Sequence, residues 1–433
     1  MHRYRYQDRY EDSTMKPSAA VDTDILVRPF AEDATRVALY SPGMVGLGHL
    51  RRNLLVAQAL SRSPRPPVTL LLAEAREAGA FALPPGADCV SLPALRKSAS
   101  GVCVPRNLPL ATQNVIGLRR SVLTAALEAF DPDVLIVDHL PRGALRELEP
   151  ALTRLRARGA RAVLGLRDVL EEPEVVRREW DAAANDKAIR SWYDAIWVYG
   201  DPSVYDVARE VPLPPDIAAM VTHTGYLDSR LRLECASAGH DASLSSLGLP
   251  PDPLIVCMLG GGSDGAPLAH AFLEAALPAG TTGLLVTGPF MPAPLRRRLH
   301  ARAAENPRVR VVDFLTEPVL LMGRAERVIS MGGYNSLCDV LSFGKPALIV
   351  PRTHPRREQF IRAQRLSARG MVDMLTPDKL TSERLSSWLA REPGIPARGA
   401  PAVDLNGLAL LPGLLEDVLD DRGRRDRAAV LPA

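Results

Sequence analysis

Cysteine is scarce in this sequence, and its placement excludes both a disulfide framework and a cysteine-based metal site. The five cysteines are scattered without a CxxC pair: Cys89, Cys103, Cys235, Cys257 and Cys338. This pattern favours free thiols in a reducing compartment. Long apolar runs are also lacking, since none approaches the roughly 20 residues that a membrane-spanning helix needs. Residues 1–33 lack the hydrophobic core of a signal peptide, so we expect a disordered polar tail and a cytoplasmic location.

An excess of charge of one sign is lacking as well. The chain has 53 Lys plus Arg and 50 Asp plus Glu, a formal net charge of +3. No basic stripe with interleaved aromatic residues is present, so we predict no nucleic-acid partner. What the chain does have is length and apolar content. Its 433 residues, 46% of them hydrophobic, suffice for two or three domains with their own cores.

Short apolar runs alternate with amphipathic stretches along most of the chain. The runs of the first half are 36–42, 68–73, 133–139, 161–168 and 195–200, and those of the second half are 254–262, 283–289, 309–314, 327–333 and 346–351. Near-continuous apolar strands joined by helices predict parallel sheets that are covered on both faces. We therefore expect an α/β fold of two doubly wound, Rossmann-like domains that face each other across a cleft.

A small, polar and proline-bearing stretch around residues 235–253 interrupts this alternation. We predict a first domain at 34–235, a linker at 236–253 and a second domain at 254–400. Residues 401–433 then form a helix that packs back on the first domain, followed by a tail. Ligands of such sheets lie beyond the carboxyl ends of the strands, so the loops at those ends are the candidate binding sites.

The first such loop, "SPGMVGLGHLRR", follows the opening strand. Gly43, Gly46 and Gly48 permit a tight turn close to a ligand. A plain turn is one interpretation, and a dinucleotide site is another, although only Glu74 stands near the end of the second strand. His49 begins the next helix and suits proton transfer near neutral pH, but a histidine there can also cap the helix or bind phosphate.

The second loop, "LGGGSDGAPLAHAF", follows the first strand of the second domain. Its three glycines and Ser263 precede a helix, so backbone N–H groups and a hydroxyl can surround a phosphate. No Lys-Ser/Thr pair follows, which excludes a P-loop. Asp264 is a candidate cap of the helix that follows.

The third loop belongs to "SMGGYNSLCDVLSFGKPALIVP". Gly332 and Gly333 let the chain turn, and Asn335 and Ser336 can cap the helix that opens there. Asp339 comes four residues after Asn335 and therefore lies on the same helical face. Its carboxylate either accepts hydrogen bonds from a ribose diol or stabilises the helix N-terminus through the helix dipole.

Taken together, "GLGH", "GGGSDGA", the third loop and "HPRREQ" resemble nucleotide-sugar glycosyltransferases of the GT-B fold. The resemblance is closest to the MurG-like branch, which has a glycosyltransferase family 28 C-terminal domain. It is strong over 254–375, moderate over 36–60 and weak over 75–130, where these enzymes usually recognise the acceptor. It implies a UDP-sugar donor bound by the second domain and a small-molecule or lipid-linked acceptor.

The resemblance also implies which residues bind the donor. The diphosphate would meet the glycine loops, the uracil edge would meet the backbone at Phe314, and the sugar hydroxyls would meet Glu358. Asp339 replaces a glutamate that binds ribose in the family, and Glu358 replaces a glutamine, so the identity of the transferred sugar is not inherited. The implied donor-binding residues are Gly261, Gly262, Ser263, Phe314, Leu315, Gly332, Gly333, Tyr334, Asn335, Ser336, Asp339, Glu358 and Gln359.

The acceptor side is predicted at the strand ends of the first domain. "VDHLPRG" supplies Asp138 and His139, and with His49 these are the candidate catalytic residues. Asp138 either orients a histidine or acts as the base itself. Further acceptor-side or phosphate-loop candidates are Gly46, Gly48, Arg51, Arg142, Arg167 and Asp168.

The resemblance implies an inverting transfer in which a base removes the acceptor proton as UDP departs. No DxD acid pair stands at a suitable strand end, so we expect neither a metal nor any other cofactor. The stretch 92–110 carries apolar and basic residues, which suit either a peripheral membrane contact or a loop around a soluble acceptor. Two alternatives stay open: a UDP-sugar epimerase or hydrolase that uses Asp138, Asp168 and Glu358, and a non-catalytic nucleotide-sugar-binding protein.

Overall fold

Two parallel sheets account for most of the strands in the computed structural model. The structure describes residues 34–43, 47–74, 81–97, 102–236, 247–392 and 402–430, with side chains as far as residue 420. The predicted N-terminal tail and Gly46 lie outside these ranges, as does most of the predicted linker.

The first sheet has seven parallel strands in the order β3-β2-β1-β6-β7-β8-β9. Its central strands are apolar and buried between their ends, because helices cover both faces, and their charged residues stand at the strand ends. A separate antiparallel pair, β4 with β5, lies between β3 and the next helix. The strands of this half are β1 Arg36–Ser41, β2 Val68–Ala73, β3 Ala87–Ser91, β4 Leu95–Lys97, β5 Cys103–Pro105, β6 Val134–Asp138, β7 Arg161–Arg167, β8 Ala195–Tyr199 and β9 Val221–His223.

The second sheet has six parallel strands in the order β12-β11-β10-β13-β14-β15. In both sheets the strand order reverses direction beside the first strand, β1 or β10, which is the place where doubly wound sheets open a ligand crevice. The strands are β10 Leu254–Met258, β11 Thr282–Val286, β12 Val309–Val312, β13 Ala325–Ser330, β14 Ala347–Ile349 and β15 Asp373–Met374.

The helices connect and cover these strands. Those of the first half are α1 Gly48–Leu60, α2 Thr112–Phe130, α3 Glu149–Ala157, α4 Pro173–Ala183, α5 Asn185–Trp192, α6 Val207–Glu210, α7 Pro215–Ala218 and α8 Arg232–Ala236. Those of the second half are α9 Ala266–Glu274, α10 Ala293–Ala304, α11 Val319–Met322, α12 Tyr334–Phe343, α13 Glu358–Ala368, α14 Ser382–Leu389 and α15 Gly407–Val430. Within the ranges described, no helix has the length and apolarity needed to cross a membrane.

The C-terminal helix α15 returns to the first domain, where it lies against α1 and β7. Leu408, Leu411 and Leu415 are buried there, within one apolar cluster that also includes α1 and the second sheet. The chain therefore crosses between the two halves twice, once before β10 and once before α15.

The predicted α/β fold of two Rossmann-like domains is confirmed. Each predicted apolar run contains a strand, because a strand buried on both faces is apolar throughout. The sequence prediction missed β3, β9 and β15, which are edge strands of two to five residues with polar or exposed positions. Such short edge strands lack the continuous apolar run on which the prediction relied.

Candidate active site

The helix α1 and the strand β6 bring a histidine, an arginine and a carboxylate together in the first domain. His49 lies in the first turn of α1, and Asp138 is the last residue of β6. The His49 Nδ1 lies 2.6 Å from Asp138 Oδ2. Arg52, one helical turn after His49, donates to both oxygens of Asp138 over 2.7 to 3.0 Å. Asp138 is thus fixed from two sides and aims one oxygen at the imidazole.

The electrostatics of this cluster assign the imidazole proton. Burial raises the pKa of Asp138, but Arg52 and His49 outweigh it and hold that pKa well below its usual range. An ionised carboxylate only accepts hydrogen bonds, so His49 Nδ1 carries the proton and donates a hydrogen bond to Asp138. Burial also lowers the pKa of His49, and Asp138 offsets this only in part. His49 is therefore neutral at pH 7, with the lone pair of Nε2 free to accept a proton.

His139 lies beside His49, with the ring centroids 5.6 Å apart and the planes inclined by 28°. Its backbone is left-handed, with φ of 69°, an uncommon conformation for a residue other than glycine. Burial, and then the charge of Arg167, lower the pKa of His139 well below the usual value. Among the residues described, its buried Nδ1 has no hydrogen-bond partner. The structure thus brings the three predicted catalytic side chains together.

The predicted acceptor-side pair at the end of β7 separates into two environments. Asp168 is fully buried, and its oxygens accept from Arg362 of α13 over 2.6 to 2.9 Å and from the Tyr226 hydroxyl over 3.0 Å. The carboxylate of Asp168 is thus held in an ion pair between the two domains, and its acceptor-side role stays a prediction. Arg167 stays close to the histidines, and its charge acts on the pKa of both.

The other first-domain candidates lie on helix α1 and in the loop after β6. Gly48 accepts a hydrogen bond from the Asn335 amide at 3.0 Å, and Arg51 lies 3.4 Å from Asp339. Arg142 instead bonds Glu149 and the Ala184 carbonyl, and it stacks on Trp192. The guanidinium of Arg142 thus joins α3 to the start of α5, and its acceptor-side role stays a prediction.

In the second domain, the loop after β10 is interlocked with the loop after β11. Gly262 has φ of 88°, and a Cβ placed there would lie 2.1 Å from the Thr287 carbonyl oxygen. Phe290 N–H donates to the Gly261 carbonyl at 2.9 Å. Ser263 is exposed beside the first turn of α9. Asp264 was expected as a helix cap, but it pairs with Arg352 instead, and no side chain caps α9.

The loop after β13 turns at Gly332, which has φ of 72°, and α12 begins at Tyr334. No side chain caps this helix, so the N–H groups of its first turn remain available to a ligand. Asn335 was expected to cap it, but its amide crosses to Gly48. Helix α12 ends at Gly344, whose left-handed conformation closes the helix in the usual way.

Asp339 lies one turn into α12 and is fully buried. Burial raises its pKa, and Arg51 of α1 offsets this only in part. The carboxylate borders a small cavity between the domains, lined also by Arg51, Leu54, Phe81 and Ser229. The predicted ribose-binding residue thus faces the first domain.

Glu358 and Gln359 open α13 next to the end of β14. Glu358 Oε1 accepts from Arg352 at 2.6 Å, whereas its buried Oε2 has no partner among the described residues. Burial raises the pKa of Glu358, but Arg167 and Arg352 outweigh it and keep the group ionised. Gln359 accepts from the Arg352 backbone N–H at 3.0 Å and so fixes this loop.

Phe314 and Leu315 follow β12 and are half-buried, in contact with the apolar core. Within the described part of the chain, no three His, Cys, Asp or Glu side chains come together in a way that could hold a metal ion.

Sequence reasoning missed the two arginines that bind the buried aspartates. Arg52 follows His49 by three residues and Arg362 follows Glu358 by four, so helical spacing places each on the same face as a predicted site residue. That spacing was a usable signal. Their partners were not predictable, because Asp138 and Asp168 lie 86 and 194 residues away along the chain.

Comparison with known proteins identifies the second domain. Residues 255–392 match the glycosyltransferase family 28 C-terminal domain. A curated relative of Rubrobacter xylanophilus, UDP-N-acetylglucosamine--N-acetylmuramyl-(pentapeptide) pyrophosphoryl-undecaprenol N-acetylglucosamine transferase, is 27% identical over 185 residues. The match covers 41% of this chain and 52% of that protein. The chain therefore spans about half the length of this relative.

Solved structures with the same architecture cover almost the whole chain. UDP-GlcNAc 2-epimerase from Neisseria meningitidis, bound to UDP-GlcNAc, is 16% identical with a TM-score of 0.57 over 89% of this chain and 100% of its own. MurG from Acinetobacter baumannii is 14% identical with a TM-score of 0.50 over 89% of this chain and 99% of its own. The chain thus has the two-domain GT-B fold of these structures, and its residues 255–392 match the glycosyltransferase family 28 C-terminal domain.

Proposed function

We propose that the protein is an inverting, metal-independent glycosyltransferase that moves a hexose or N-acetylhexosamine from a UDP-sugar to an acceptor hydroxyl. The observation that carries the proposal is the 2.6 Å contact between His49 and Asp138, located where α1 meets the second domain. A neutral histidine held by a buried carboxylate is suited to take a proton from a hydroxyl group.

The proposed donor site lies on the second domain. UDP-N-acetylglucosamine is part of the name of the Rubrobacter relative, and it is the molecule bound in the Neisseria structure. In this chain the uncapped N-terminus of α12 and the glycine loop at 260–262 offer main-chain N–H groups to a diphosphate. Asp339 is proposed to accept from the ribose diol, and Glu358 Oε2 from a hydroxyl of the transferred sugar.

In the proposed reaction, the acceptor hydroxyl attacks the anomeric carbon while the bond from that carbon to the UDP oxygen breaks. His49 Nε2 takes the acceptor proton, and Asp138 stabilises the imidazolium that forms. Negative charge collects on the departing diphosphate, where N–H groups and the positive end of α12 stabilise it. Attack from the face opposite UDP inverts the anomeric configuration.

The acceptor is proposed to be a small molecule or a lipid-linked compound. The protein itself is proposed to be located in the cytoplasm. Val102, Leu108 and Leu110 are exposed on the first domain, next to the basic Arg106. This surface supports the proposal of a peripheral membrane contact.

A second candidate is a UDP-sugar epimerase or hydrolase, which the likeness to the Neisseria epimerase favours. Such chemistry would draw on Asp138, Asp168 and Glu358 as acids or bases. The first two are bound by buried arginines on both oxygens, and Glu358 is bound on one. Carboxylates in such pairs are poor proton carriers near neutral pH, so the transferase is the better proposal.

Incubation with UDP-N-acetylglucosamine, with and without acceptors from a cell extract, tests this proposal. We expect UDP release and a glycosylated product only with acceptor, undiminished by EDTA. His49→Gln should lower the rate on the order of 10²- to 10⁴-fold while leaving calorimetric binding of UDP intact. The matched control is His270→Gln, since His270 is exposed on α9. Conversion of the donor without acceptor would favour the epimerase or hydrolase instead.

A further inference from the structure

In the part of the chain that the structure describes, four arginines between the two domains are paired with carboxylates, whereas Arg167 is not. Arg52 binds Asp138, Arg362 binds Asp168, Arg51 contacts Asp339, and Arg352 binds Glu358. Arg167 forms no ion pair within the described residues. The hydrogen bond recorded for its guanidinium is a long one of 3.4 Å to the Leu170 carbonyl, and its buried Nε has no partner there. Arg167 is half-buried, with its Nε enclosed, and a cation that lines a cleft without a carboxylate partner indicates a binding site for an anion.

The position of Arg167 shows what such a ligand would meet. It ends β7, next to β6, which ends in Asp138 and leads into His139. Its charge lowers the pKa of His49 and of His139. It also lowers the pKa of Glu358, more than any other cation nearby does. The charge of Arg167 therefore acts both on the histidines of the first domain and on Glu358 of the second.

Each side of the cleft thus has an enclosed polar atom without a hydrogen-bond partner among the described residues. Arg167 Nε is a buried donor without an acceptor, and Glu358 Oε2 is a buried acceptor without a donor. The two side chains interact electrostatically but are not hydrogen-bonded to each other. Burial lowers the pKa of Arg167 to about 10, so the guanidinium stays charged at neutral pH. A half-buried guanidinium without a carboxylate partner is suited to bind an anion.

We propose that Arg167 binds an anionic group, a carboxylate or a phosphate, carried by the acceptor near its reacting hydroxyl. The proposal rests on the proposed function and adds a chemical class for the acceptor. The acceptor is favoured over the donor sugar as the source of the anion for two reasons. Arg167 belongs to the first domain beside the base, and a carboxylate on the transferred sugar would lie beside the like charge of Glu358.

Anion binding to the donor-saturated protein tests this inference. The protein is first saturated with UDP, which fills the diphosphate site, and is then titrated calorimetrically with inorganic phosphate, D-glycerate and, as the neutral match, glycerol. The variants are Arg167→Gln, Arg167→Lys, which keeps the charge, and the control Arg190→Gln, an exposed arginine of α5 paired with Asp216. Thermal unfolding of each variant shows whether it is folded.

We expect phosphate and glycerate to bind and glycerol not to bind. Arg167→Gln should weaken anion binding at least tenfold, Arg167→Lys should retain part of it, and Arg190→Gln should match the wild type. Unchanged anion binding in Arg167→Gln would overturn the proposal. Loss of anion binding once UDP is present would overturn it too, because Arg167 would then serve the donor diphosphate.

A second experiment tests whether the anion belongs to the donor sugar instead of the acceptor. UDP-glucuronate and UDP-glucose are compared on wild type and Arg167→Gln, and a selective loss for UDP-glucuronate would assign Arg167 to the donor sugar and overturn the acceptor assignment. Absence of UDP binding to the wild type would contradict the proposed function alone. The anion titrations without UDP would then still decide whether Arg167 binds an anion.

Discussion

The protonation state of His49 determines whether it can serve as the base. Burial is the largest influence and lowers its pKa below the ordinary value of 6.5, while Asp138 acts in the opposite direction. A base must be unprotonated, so the active form is present above this lowered pKa and is lost as the pH falls through it. Near neutral pH the imidazole is already in the form that accepts a proton.

The acceptor-dependent rate should therefore be level at neutral and alkaline pH and fall only below about 6.5. In Asp138→Asn the carboxylate that raises the His49 pKa is removed, so the midpoint of the fall should move to still lower pH, and the plateau should be lower. Initial rates of UDP release between about pH 5 and 9 measure this. A wild-type rate that already declines from pH 8 downward would exclude His49 as the group that titrates.

At the scale of elements, two loops of the second domain depend on glycine for close backbone approach. The loop after β10 and the loop after β11 touch through main-chain atoms, and Gly262 sits at the contact with a left-handed conformation. A side chain at this position is strained and also collides with the Thr287 carbonyl, which belongs to the backbone and cannot rotate away.

Gly262→Ala should therefore lower the free energy of unfolding by about 1–3 kcal/mol and weaken UDP binding, because the loop must move. Gly117→Ala is the matched control, since Gly117 lies inside α2 with open space around its Cβ position. It should raise stability by about 0.5–1 kcal/mol and leave UDP binding unchanged. Thermal unfolding and calorimetry measure both effects. Equal stability of Gly262→Ala and wild type would show that the loop is not constrained as described.

The sequence predicts the helices, strands and strand-end loops better than it predicts the contacts between them. The central strands were predictable because burial on both faces leaves an apolar run. The proximity of His49 and Asp138 was predictable because β1 and β6 are parallel, so the segments at their carboxyl ends lie at the same edge of the sheet. The pairing of Asp264 with Arg352, the use of the Asn335 amide between domains and the enclosure of Asp168 were not predictable. Each depends on a partner that is distant in the chain and close only after both sheets are assembled.

For the whole molecule, helix α13 connects the two domains through charge. Arg362 binds Asp168, Arg365 binds Glu210, and the N-terminal Arg357 binds Glu172 of the first domain. The exposed pairs contribute little, because solvent screens them. The Arg362–Asp168 pair is fully buried, and removal of one partner leaves the other charge without compensation.

Arg362→Met should accordingly destabilise the protein by about 3–5 kcal/mol. The double variant Arg362→Met with Asp168→Leu should be less destabilised than the single one, since the stranded carboxylate is gone. Arg190→Gln, which breaks an exposed pair, should change stability by less than about 1 kcal/mol. Thermal and urea unfolding compare the variants. If Arg362→Met unfolded like the wild type, the pair would not hold the domains together.

The bond from the Asn335 amide to the Gly48 carbonyl bears on the order in which substrates add. Asn335 stands in the turn of α12 that is proposed to receive the donor, and Gly48 immediately precedes His49. If donor binding displaced α12, Gly48 would move with it, and the orientation of the neighbouring His49 imidazole would change. Under the proposed function, we infer a sequential scheme in which the nucleotide sugar enters first and the second substrate meets an imidazole that is already oriented.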